Sequence, residues 1–583
     1  MIKGVPVSPG IAVARAHRVG EVINHHEPYS LDEQGLSGEV GRLERALNAV
    51  ARELDDTIAR VREQIGDEEA AIFRAHRQLL RDPGLHQKVL DRLRQQHIDA
   101  ATALQQILDE YVRLFERLPD TYFQERLHDL RDVIGRVIAR LTQDSGEHPV
   151  TFSEPVILVA QEILPSQAAM IDKRWVAGIL TEAGSATGHA AILARALGIP
   201  AVSGLSGLLR EVRDGDLIAI DGREGHVYLN PGPEVEAAYR KLQREYTDAY
   251  DRLFENHHLE AISPDGTAVE LLANVNGVAD AQMAGHAGAV GVGLYRTEYL
   301  FLTHHSVPNE EDQYQTYKQI IELAPNRRVT IRTLDLGGDK QVPYLGTRRE
   351  TNPFMGFRSI RLTTSHPEFF QTQLRAILRA ARHGEVSLMF PMISLLEEVQ
   401  RIKKVVARTR LQLEQAGIDH AAHLPLGVMI EVPGAALCID EILQEVDFVS
   451  IGSNDLVQYL MAADRDNPQV AHLCEPFNPA LLRLLAHVIS TCNQRGKPVT
   501  LCGEMAGWPR CFLVLFGMGL RRFSMSPAAV PTLKELVRRT PLSVAQEIAE
   551  RVLAMKTIGE IRGYLTHRIQ EIWPNITLMD MRR

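Results

Sequence analysis

Residues 426–455 read LGVMIEVPGAALCIDEILQEVDFVSIGSND: an apolar run, a helical pattern and a second apolar run. Apolar runs that alternate with helical patterns predict strand–helix units with a parallel sheet. The C-terminal part of the chain holds eight such units in about 280 residues, which favours a TIM barrel. The predicted strands are Leu271–Val275, Val290–Tyr295, Val329–Leu334, Ser387–Met392, Leu426–Val432, Phe448–Gly452, Val499–Cys502 and Phe523–Met525.

Two other patterns precede the barrel. Apolar residues at steps of three or four recur from Leu36 to Ile65, and further helical patterns follow as far as Leu141. Short turns between these helical patterns predict an antiparallel bundle. From Pro149 onward, short apolar runs separated by Gly, Pro and Asp predict a compact α/β domain. The strand-like N-terminus is expected to join this sheet, which makes the bundle an insertion. The chain is therefore predicted to be a multidomain α/β protein with an α/β domain (1–20 plus 146–230), a helical bundle (21–145), a linker helix (231–260) and a barrel with C-terminal helices (261–583).

The composition is that of a soluble globular protein. Hydrophobic residues make up 45% of the 583 residues and charged residues 24%. A formal net charge of −10 without a long basic run argues against general nucleic-acid binding. No apolar run is long enough for membrane insertion. Five cysteines without a CxxC pair fit a reducing compartment, so we expect a cytoplasmic protein.

Charged side chains follow several predicted barrel strands, at the end where TIM barrels carry their chemistry. Arg296, Arg332 and Arg465 could bind a phosphate through directional hydrogen bonds from their N–H groups. Glu431 and Asp455 could supply two oxygens to an octahedral Mg²⁺. The acids could instead pair with the arginines. Three arginines beside two acids nevertheless favour metal-assisted phosphoryl chemistry on an anionic substrate.

Cys502 lies where the seventh strand opens into the predicted pocket. A thiol there could donate a proton to a carbon that develops carbanion character. The alternative is a small apolar residue that fills a strand end. Gly337-Gly338 nearby is either a phosphate cradle or a tight turn, and the chain has no GxxxxGK[ST] pattern, so it is not a Walker loop.

His189 lies in a Gly/Ser/Thr-rich loop within TEAGSATGHAAILAR at 181–195, between an apolar run and a helical pattern. Free backbone N–H groups and the positive end of the helix dipole favour an anion at a helix start. His189 could therefore be a nucleophile whose phosphorylated form the backbone stabilises. A solvent-exposed or capping histidine is the alternative.

Together, these motifs resemble the Enzyme I family of the bacterial phosphotransferase system, the phosphoenolpyruvate–protein phosphotransferases. The resemblance runs essentially from residue 1 to 583. Any one block would indicate only the wider family that includes pyruvate phosphate dikinase and phosphoenolpyruvate synthase. The blocks are SPGIA (8–12), the loop around His189, GVGLYRTEYLF (291–301), RTLDLGGDK (332–340), NPFMGFRSIR (352–361), QLRAILRA (373–380), GVMIEVPGAA (427–436), SIGSNDLVQY (450–459), LCGEMAG (501–507) and FSMSP (523–527).

The resemblance implies transfer of the phosphoryl group of phosphoenolpyruvate to His189 and then to a histidine of a small HPr-like carrier protein. Pyruvate is released in this first step of sugar uptake. It implies Mg²⁺ as cofactor and a homodimer through the barrel. The implied roles are catalysis for His189 and Cys502, substrate binding for Arg296, Arg332, Arg358, Asn454, Asp455 and Arg465, and metal binding for Glu431 and Asp455.

The resemblance also places the carrier-docking surface on the helical bundle. The corresponding region contains Ile72, Phe73, His76, Leu79 and Leu80, whose alternative role is helix packing. Because His189 must visit both the barrel mouth and the carrier, we expect the α/β domain to swivel, with hinges near 145–150 and 231–260.

One departure from the family pattern concerns the histidine loop. The chain reads Thr187-Gly188-His189-Ala190, where the sugar-system enzymes usually have Ser before the histidine. The carrier therefore stays open among the sugar, nitrogen-regulatory and fused branches. No sensor domain precedes SPGIA, which argues against the usual nitrogen-branch form. The rival functions are a phosphoenolpyruvate synthase or dikinase, which would carry a nucleotide-binding domain, and a regulatory adaptor with a silent barrel.

Overall fold

The structure is a computed structural model that divides into two compact units, Met1–Asp248 and Ala249–Met581. The residues it describes are 1–19, 29–64, 69–115, 121–142, 154–163, 167, 171–172, 174–183, 194, 198–302, 307–337, 350, 352–465, 467, 469–574 and 576.

The first unit contains an eight-stranded mixed sheet in the order β1-β8-β7-β3-β4-β5-β6-β2. Strands β3 to β6 run parallel, and the other neighbours are antiparallel. The N-terminal strands therefore belong to the same sheet as the strands that follow the bundle. The strands are β1 (Ile2–Lys3), β2 (Val5–Ser8), β3 (Ile11–Arg18), β4 (Val156–Ala160), β5 (Val176–Thr181), β6 (Ala201–Ser203), β7 (Leu217–Asp221) and β8 (His226–Leu229).

The helical bundle lies between β3 and β4 in the chain, and its helices share one apolar core. Leu43, Val50 and Phe73 are among its fully buried side chains. Asp82 begins the third helix because its carboxylate accepts a hydrogen bond from the Leu85 N–H at 2.7 Å. The helices are α1 (Glu33–Gln64), α2 (Glu69–Leu80), α3 (Pro83–Gln96), α4 (Ala100–Phe115) and α5 (Thr121–Thr142).

The packing of α2 corrects part of the expected docking surface. Phe73 and His76 are fully buried, and Leu80 is 7% exposed. His76 faces α5, where its Nε2 lies 3.1 Å from Asp129 Oδ1. These three residues therefore pack inside the bundle and cannot contact a carrier in this conformation. Leu79 is half-buried, and the Ile72 side chain lies outside the described part of the structure.

The second unit contains a closed barrel of eight parallel strands, β9 to β16, in which β9 pairs with both β10 and β16. This confirms the predicted fold class. Each strand lies within two residues of its predicted bounds. The strands are β9 (Glu270–Val275), β10 (Val292–Arg296), β11 (Arg328–Arg332), β12 (Glu385–Phe390), β13 (Leu426–Ile430), β14 (Phe448–Ile451), β15 (Val499–Leu501) and β16 (Arg522–Met525).

Helices separate the barrel strands and continue after the last one. No helix in the described part of the chain is both long and apolar enough to cross a membrane. From β6 onward the helices are α6 (Leu208–Glu211), α7 (Pro233–Glu255), α8 (Val278–His286), α9 (Glu298–Leu302), α10 (Glu310–Leu323), α11 (Ile360–Ser365), α12 (Pro367–Ala380), α13 (Leu396–Gln415), α14 (Pro433–Leu437), α15 (Ile439–Glu445), α16 (Ser453–Met461), α17 (Pro479–Gln494), α18 (Pro509–Gly517), α19 (Val530–Arg539), α20 (Leu542–Ala554) and α21 (Ile558–Ile572).

The contact between α18 and α20 depends on Gly517. A Cβ atom at this position would overlap the carbonyl oxygen of Ala545 on α20. We therefore expect Gly517→Ala to push the helices apart and lower the free energy of unfolding by about 1–3 kcal/mol. The control is Gly563→Ala within α21, where a Cβ meets no atom within 4 Å. It should stabilise the helix by about 0.5–1 kcal/mol through propensity. Thermal unfolding of both variants tests this, and an unchanged midpoint for Gly517→Ala would contradict it.

Candidate active site

The carboxyl ends of the barrel strands bring distant parts of the sequence to one mouth. Arg296 at the end of β10 is in register with Arg332 at the end of β11. Ile430 on β13 is in register with Ile451 on β14, and Ile451 with Leu501 on β15. The residues that follow these strands therefore lie at one edge of the barrel, as predicted for TIM-barrel chemistry.

Two arginines at this mouth alternate with two acids in a buried row, Glu298–Arg332–Asp335–Arg358. Arg332 Nη2 donates to Glu298 Oε1 at 2.9 Å, and its Nη1 lies 3.2 Å from Asp335 Oδ2. Arg358 Nη2 donates to both oxygens of Asp335, at 3.0 and 3.2 Å. Each arginine is only 6% exposed. The pairing of arginines with acids, left open by the sequence, therefore applies to Glu298 and Asp335, and at a longer distance to Asp455, whose Oδ1 lies 3.8 Å from Arg358 Nη1.

Both arginines stay charged, and each has an N–H donor that no described residue uses. Burial alone would lower the pKa of Arg332, but its attraction to Glu298 and Asp335 outweighs burial and raises that pKa. The pKa of Arg358 is raised in the same way. Within the described residues, the buried Nε atoms of Arg332 and Arg358 have no hydrogen-bond partner. An unpaired buried donor is costly, so the mouth is suited to an anion that accepts these hydrogen bonds.

Arg358 is held in place by its surroundings. Its Nη1 donates to the Tyr459 hydroxyl at 3.1 Å, and that hydroxyl donates to Phe354 O at 2.6 Å. Gly337 has a φ of +114°, and a Cβ there would overlap the Cβ of Arg358. Glycine at 337 is therefore explained by close packing, which favours the tight turn over a phosphate cradle. Gly338 lies outside the described residues.

Glu431 and Asp455 form an acidic pair next to this row. Glu431 is 1% exposed, and its Oε1 accepts a hydrogen bond from the Met392 N–H at 2.6 Å. Met392 has a φ of +56°, a strained conformation that presents this N–H. Burial, followed by repulsion from Asp455 and Asp335, raises the pKa of Glu431 to about 8. The buried Oδ1 of Asp455 has no hydrogen-bond partner among the described residues.

These two carboxylates fit a divalent cation. A buried acid that is costly to ionise and a carboxylate oxygen that accepts no hydrogen bond from the described residues are both stabilised by a positive ion. In the described part of the chain, no group of three or more His, Cys, Asp or Glu side chains is arranged to hold a metal. A cation bound here would therefore take its remaining ligands from water or substrate, as Mg²⁺ commonly does.

Cys502 is buried at the end of β15. Its Sγ lies 3.5 Å from Ile451 O, and its carbonyl accepts a hydrogen bond from Asn274 Nδ2 at 3.0 Å. Asn274 in turn accepts a hydrogen bond from Ser524 Oγ at 2.6 Å. Burial raises the pKa of the Cys502 thiol, so the sulfur keeps its proton at neutral pH. A protonated thiol at the mouth is able to act as a general acid.

The remaining predicted site residues are Asn454, Arg296, Arg465 and His189. Asn454 Oδ1 accepts a hydrogen bond from the Glu504 N–H at 3.0 Å, which fixes this amide beside the end of β15. Arg296 and Arg465 are half-buried at the ends of β10 and after α16. His189 lies outside the described residues.

Sequence reasoning missed a buried hydrogen-bond network behind the arginines. Gln373 Nε2 donates to Thr297 Oγ1 at 3.2 Å, and Thr297 Oγ1 donates to Arg332 O at 3.0 Å. Gln373 Oε1 accepts from the Leu334 N–H at 3.1 Å. Gln373 thus ties together the chain segments that carry Arg296 and Arg332. Its position within a helix carried no signal of this role, whereas Glu298 and Asp335 could have been found as acids beside strand-end arginines.

Three family descriptions match successive parts of the chain. Residues 3–126 match "PEP-utilising enzyme, N-terminal", and residues 152–225 match "PEP-utilising enzyme, mobile domain". Residues 251–542, which contain the barrel strands, match "PEP-utilising enzyme, PEP-binding domain".

Proteins named phosphoenolpyruvate-protein phosphotransferase are similar over nearly the whole chain. The protein from Geobacillus stearothermophilus is 38% identical over 564 residues, which cover 97% of both chains. That from Staphylococcus carnosus is 38% identical and covers 96% of this chain and 97% of its own. That from Buchnera aphidicola is 36% identical and covers 96% of this chain and 98% of its own.

The raised pKa of Glu431 predicts a pH-dependent stability. A glutamate with an ordinary pKa of about 4.3 when unfolded and about 8 when folded stabilises the fold below the lower value, and this contribution is lost as the pH rises to the higher one. We therefore expect the metal-free protein to lose stability between about pH 5 and 8.

Glu431→Gln removes this titration. The melting temperature of the variant minus that of the parent should therefore increase as the pH rises. Scanning calorimetry in the presence of a chelator measures both proteins across this range. Glu385→Gln, at an exposed position in the same barrel, is the control. A difference between Glu431→Gln and the parent that does not change with pH would rule out the buried titration.

Proposed function

The chain belongs to the phosphoenolpyruvate-protein phosphotransferase family, a family of enzymes, and we propose that it transfers the phosphoryl group through His189 to an HPr-like carrier. The observation that carries the proposal is the barrel mouth. There, buried arginines whose Nε–H donors have no partner among the described residues lie beside Glu431, a buried acid with a raised pKa, and Asp455, whose Oδ1 lies 3.8 Å from Arg358 Nη1. A small molecule with both phosphate and carboxylate groups, bound with a divalent cation, satisfies both sets of groups.

In this proposal, Arg332 and Arg358 donate hydrogen bonds to the anionic groups of phosphoenolpyruvate. Arg296 and Arg465, at the ends of their own elements, add positive charge, and Asn454 adds a polar contact. Guanidinium groups that are already oriented stabilise the charge on the transferring phosphoryl group without reorganising during the reaction.

Glu431 and Asp455 would hold Mg²⁺. When bound, this ion neutralises charge on the phosphoryl group and on the enolate that leaves. The protein's own contribution is to place both carboxylates at the mouth, with Glu431 buried and Asp455 partly exposed. The Met392 N–H holds Glu431 through a hydrogen bond of 2.6 Å.

The neutral imidazole of His189 attacks phosphorus in line, and the bond from phosphorus to the enolate oxygen breaks. Enolpyruvate then takes a proton on carbon from the Cys502 thiol and leaves as pyruvate. Water returns a proton to the resulting thiolate. The histidine of the carrier finally attacks the phosphorus of phosphohistidine, which restores neutral His189.

Several further expectations stay predictions. They are the swivelling of the domain that carries His189, the homodimer through the barrel and the cytoplasmic location. The carrier and the sugar or regulatory branch that it serves are also open. Incubation with phosphoenolpyruvate, Mg²⁺ and a series of candidate carriers identifies the carrier as the one that becomes phosphorylated.

The role of His189 as nucleophile predicts the result of a labelling experiment. His189→Ala should abolish incorporation of ³²P from labelled phosphoenolpyruvate into the protein, because no other group replaces the nucleophile. His286→Ala, at an exposed position on α8, should label like the parent. Label on the His189→Ala protein at the parental level would refute the assignment.

The role of Cys502 as proton donor predicts a different kinetic effect. Cys502→Ala should slow pyruvate formation by about 10²–10⁴-fold, the usual contribution of a general acid. The affinity for phosphoenolpyruvate should change little, because the thiol acts after the substrate is bound. Steady-state pyruvate release and equilibrium binding measure the two quantities. Cys492→Ala, a buried cysteine on α17, is the matched control, and equal rates for the two variants would exclude the proton transfer.

A further inference from the structure

We propose that Asp335 is a positioning residue that aims Arg332 and Arg358 at one anion. This role rests on the proposed function, because it assumes that the two arginines bind phosphoenolpyruvate. Asp335 itself need not touch the substrate.

Asp335 bridges the guanidinium groups of Arg332 and Arg358. One carboxylate contacts both guanidinium groups, at 3.2 Å to Arg332 Nη1 and at 3.0 and 3.2 Å to Arg358 Nη2. The backbone N–H of Asp335 donates to Glu298 Oε1 at 3.0 Å, and the same oxygen accepts from Arg332 Nη2 at 2.9 Å. The carboxylate is thus anchored through its own backbone, and it couples two arginines that come from different segments of the chain.

The contacts of Asp335 leave donors for a ligand. It contacts one terminal nitrogen of each arginine, whereas the buried Nε of each has no partner among the described residues. Asp335 is itself 5% exposed. A long arginine side chain has many rotamers, and fixing two of them before the substrate arrives removes part of the entropic cost of binding.

Charge alone predicts the opposite contribution. A carboxylate next to an anion-binding site repels the anion, so if Asp335 acted only through its charge, neutralising it would strengthen the binding of phosphoenolpyruvate. If Asp335 acts by orienting the arginines, neutralising it weakens binding even though the site becomes more positive. The sign of the effect therefore separates positioning from simple electrostatics.

The experiment measures phosphoenolpyruvate binding by isothermal calorimetry in the presence of Mg²⁺. The full-length His189→Ala protein is used so that no transfer occurs. Asp335→Asn in this background should weaken binding by about tenfold or more, since small displacements of positioning groups cost up to about 10²-fold. Binding as tight as or tighter than that of the His189→Ala parent would overturn the proposal.

Glu310 provides a matched control. It also bridges two arginines, with Oε2 2.6 Å from Arg375 Nε and Oε1 2.7 Å from Arg379 Nη1, but on the outer helices α10 and α12. Glu310→Gln in the same background should leave the affinity unchanged. An equal loss in Glu310→Gln and Asp335→Asn would show a general effect of unpaired arginines and would overturn the proposal.

A second variant covers the case in which Asp335→Asn does not fold, judged by its thermal unfolding. Asp335→Glu keeps the charge and the counter-ion, but it moves the carboxylate by one methylene group. It should bind phosphoenolpyruvate at least several-fold more weakly, and parental affinity would overturn the proposal. Failure of the His189→Ala parent to bind phosphoenolpyruvate is a distinct result, because it would remove the proposed function and this inference with it.

Discussion

The burial of two guanidinium groups at the barrel mouth is the constraint on which the site depends. A buried, unpaired charge is very costly, and Arg332 and Arg358 are each only 6% exposed. Glu298 and Asp335 compensate that charge, but they do not use every donor. The row therefore compensates its own charge and still has N–H donors without a partner among the described residues. A site made of exposed arginines would lack this preorganisation.

The closed barrel makes this row possible. Register between neighbouring strands sets Arg296 beside Arg332. Behind them, Gln373 connects the segment after β10 to the segment after β11. The strand ends are thus held by backbone pairing on one side and by a buried amide on the other. The side chains at these strand ends therefore start from a fixed backbone.

The local sequence pattern was sufficient to predict the strands of the barrel and to place most of the predicted site residues at its mouth. Short apolar runs bounded by Gly, Pro and charged residues identify strands, and parallel strands place their ends together. The pattern could not distinguish an acid that neutralises an arginine from an acid suited to a cation, because Glu298 and Glu431 both lie within two residues of a strand end. That distinction depends on which strands are neighbours and on contacts with segments far away in the sequence. His76 is a similar case, since its burial depends on Asp129 of another helix.

The acids of the mouth lie in two electrostatic environments, and this division bears on the proposed chemistry. Asp335 lies between two arginines, whereas burial and the neighbouring acids Asp455 and Asp335 dominate at Glu431 and raise its pKa to about 8. One side of the mouth therefore has arginine N–H donors without a partner among the described residues, and the other has a buried acid that is costly to ionise. A polyanion alone would satisfy the first side and a cation alone the second. Under the proposed function, a polyanion and a divalent cation bound together would compensate both sides of the mouth, which is the form in which a phosphoryl group is best prepared for transfer.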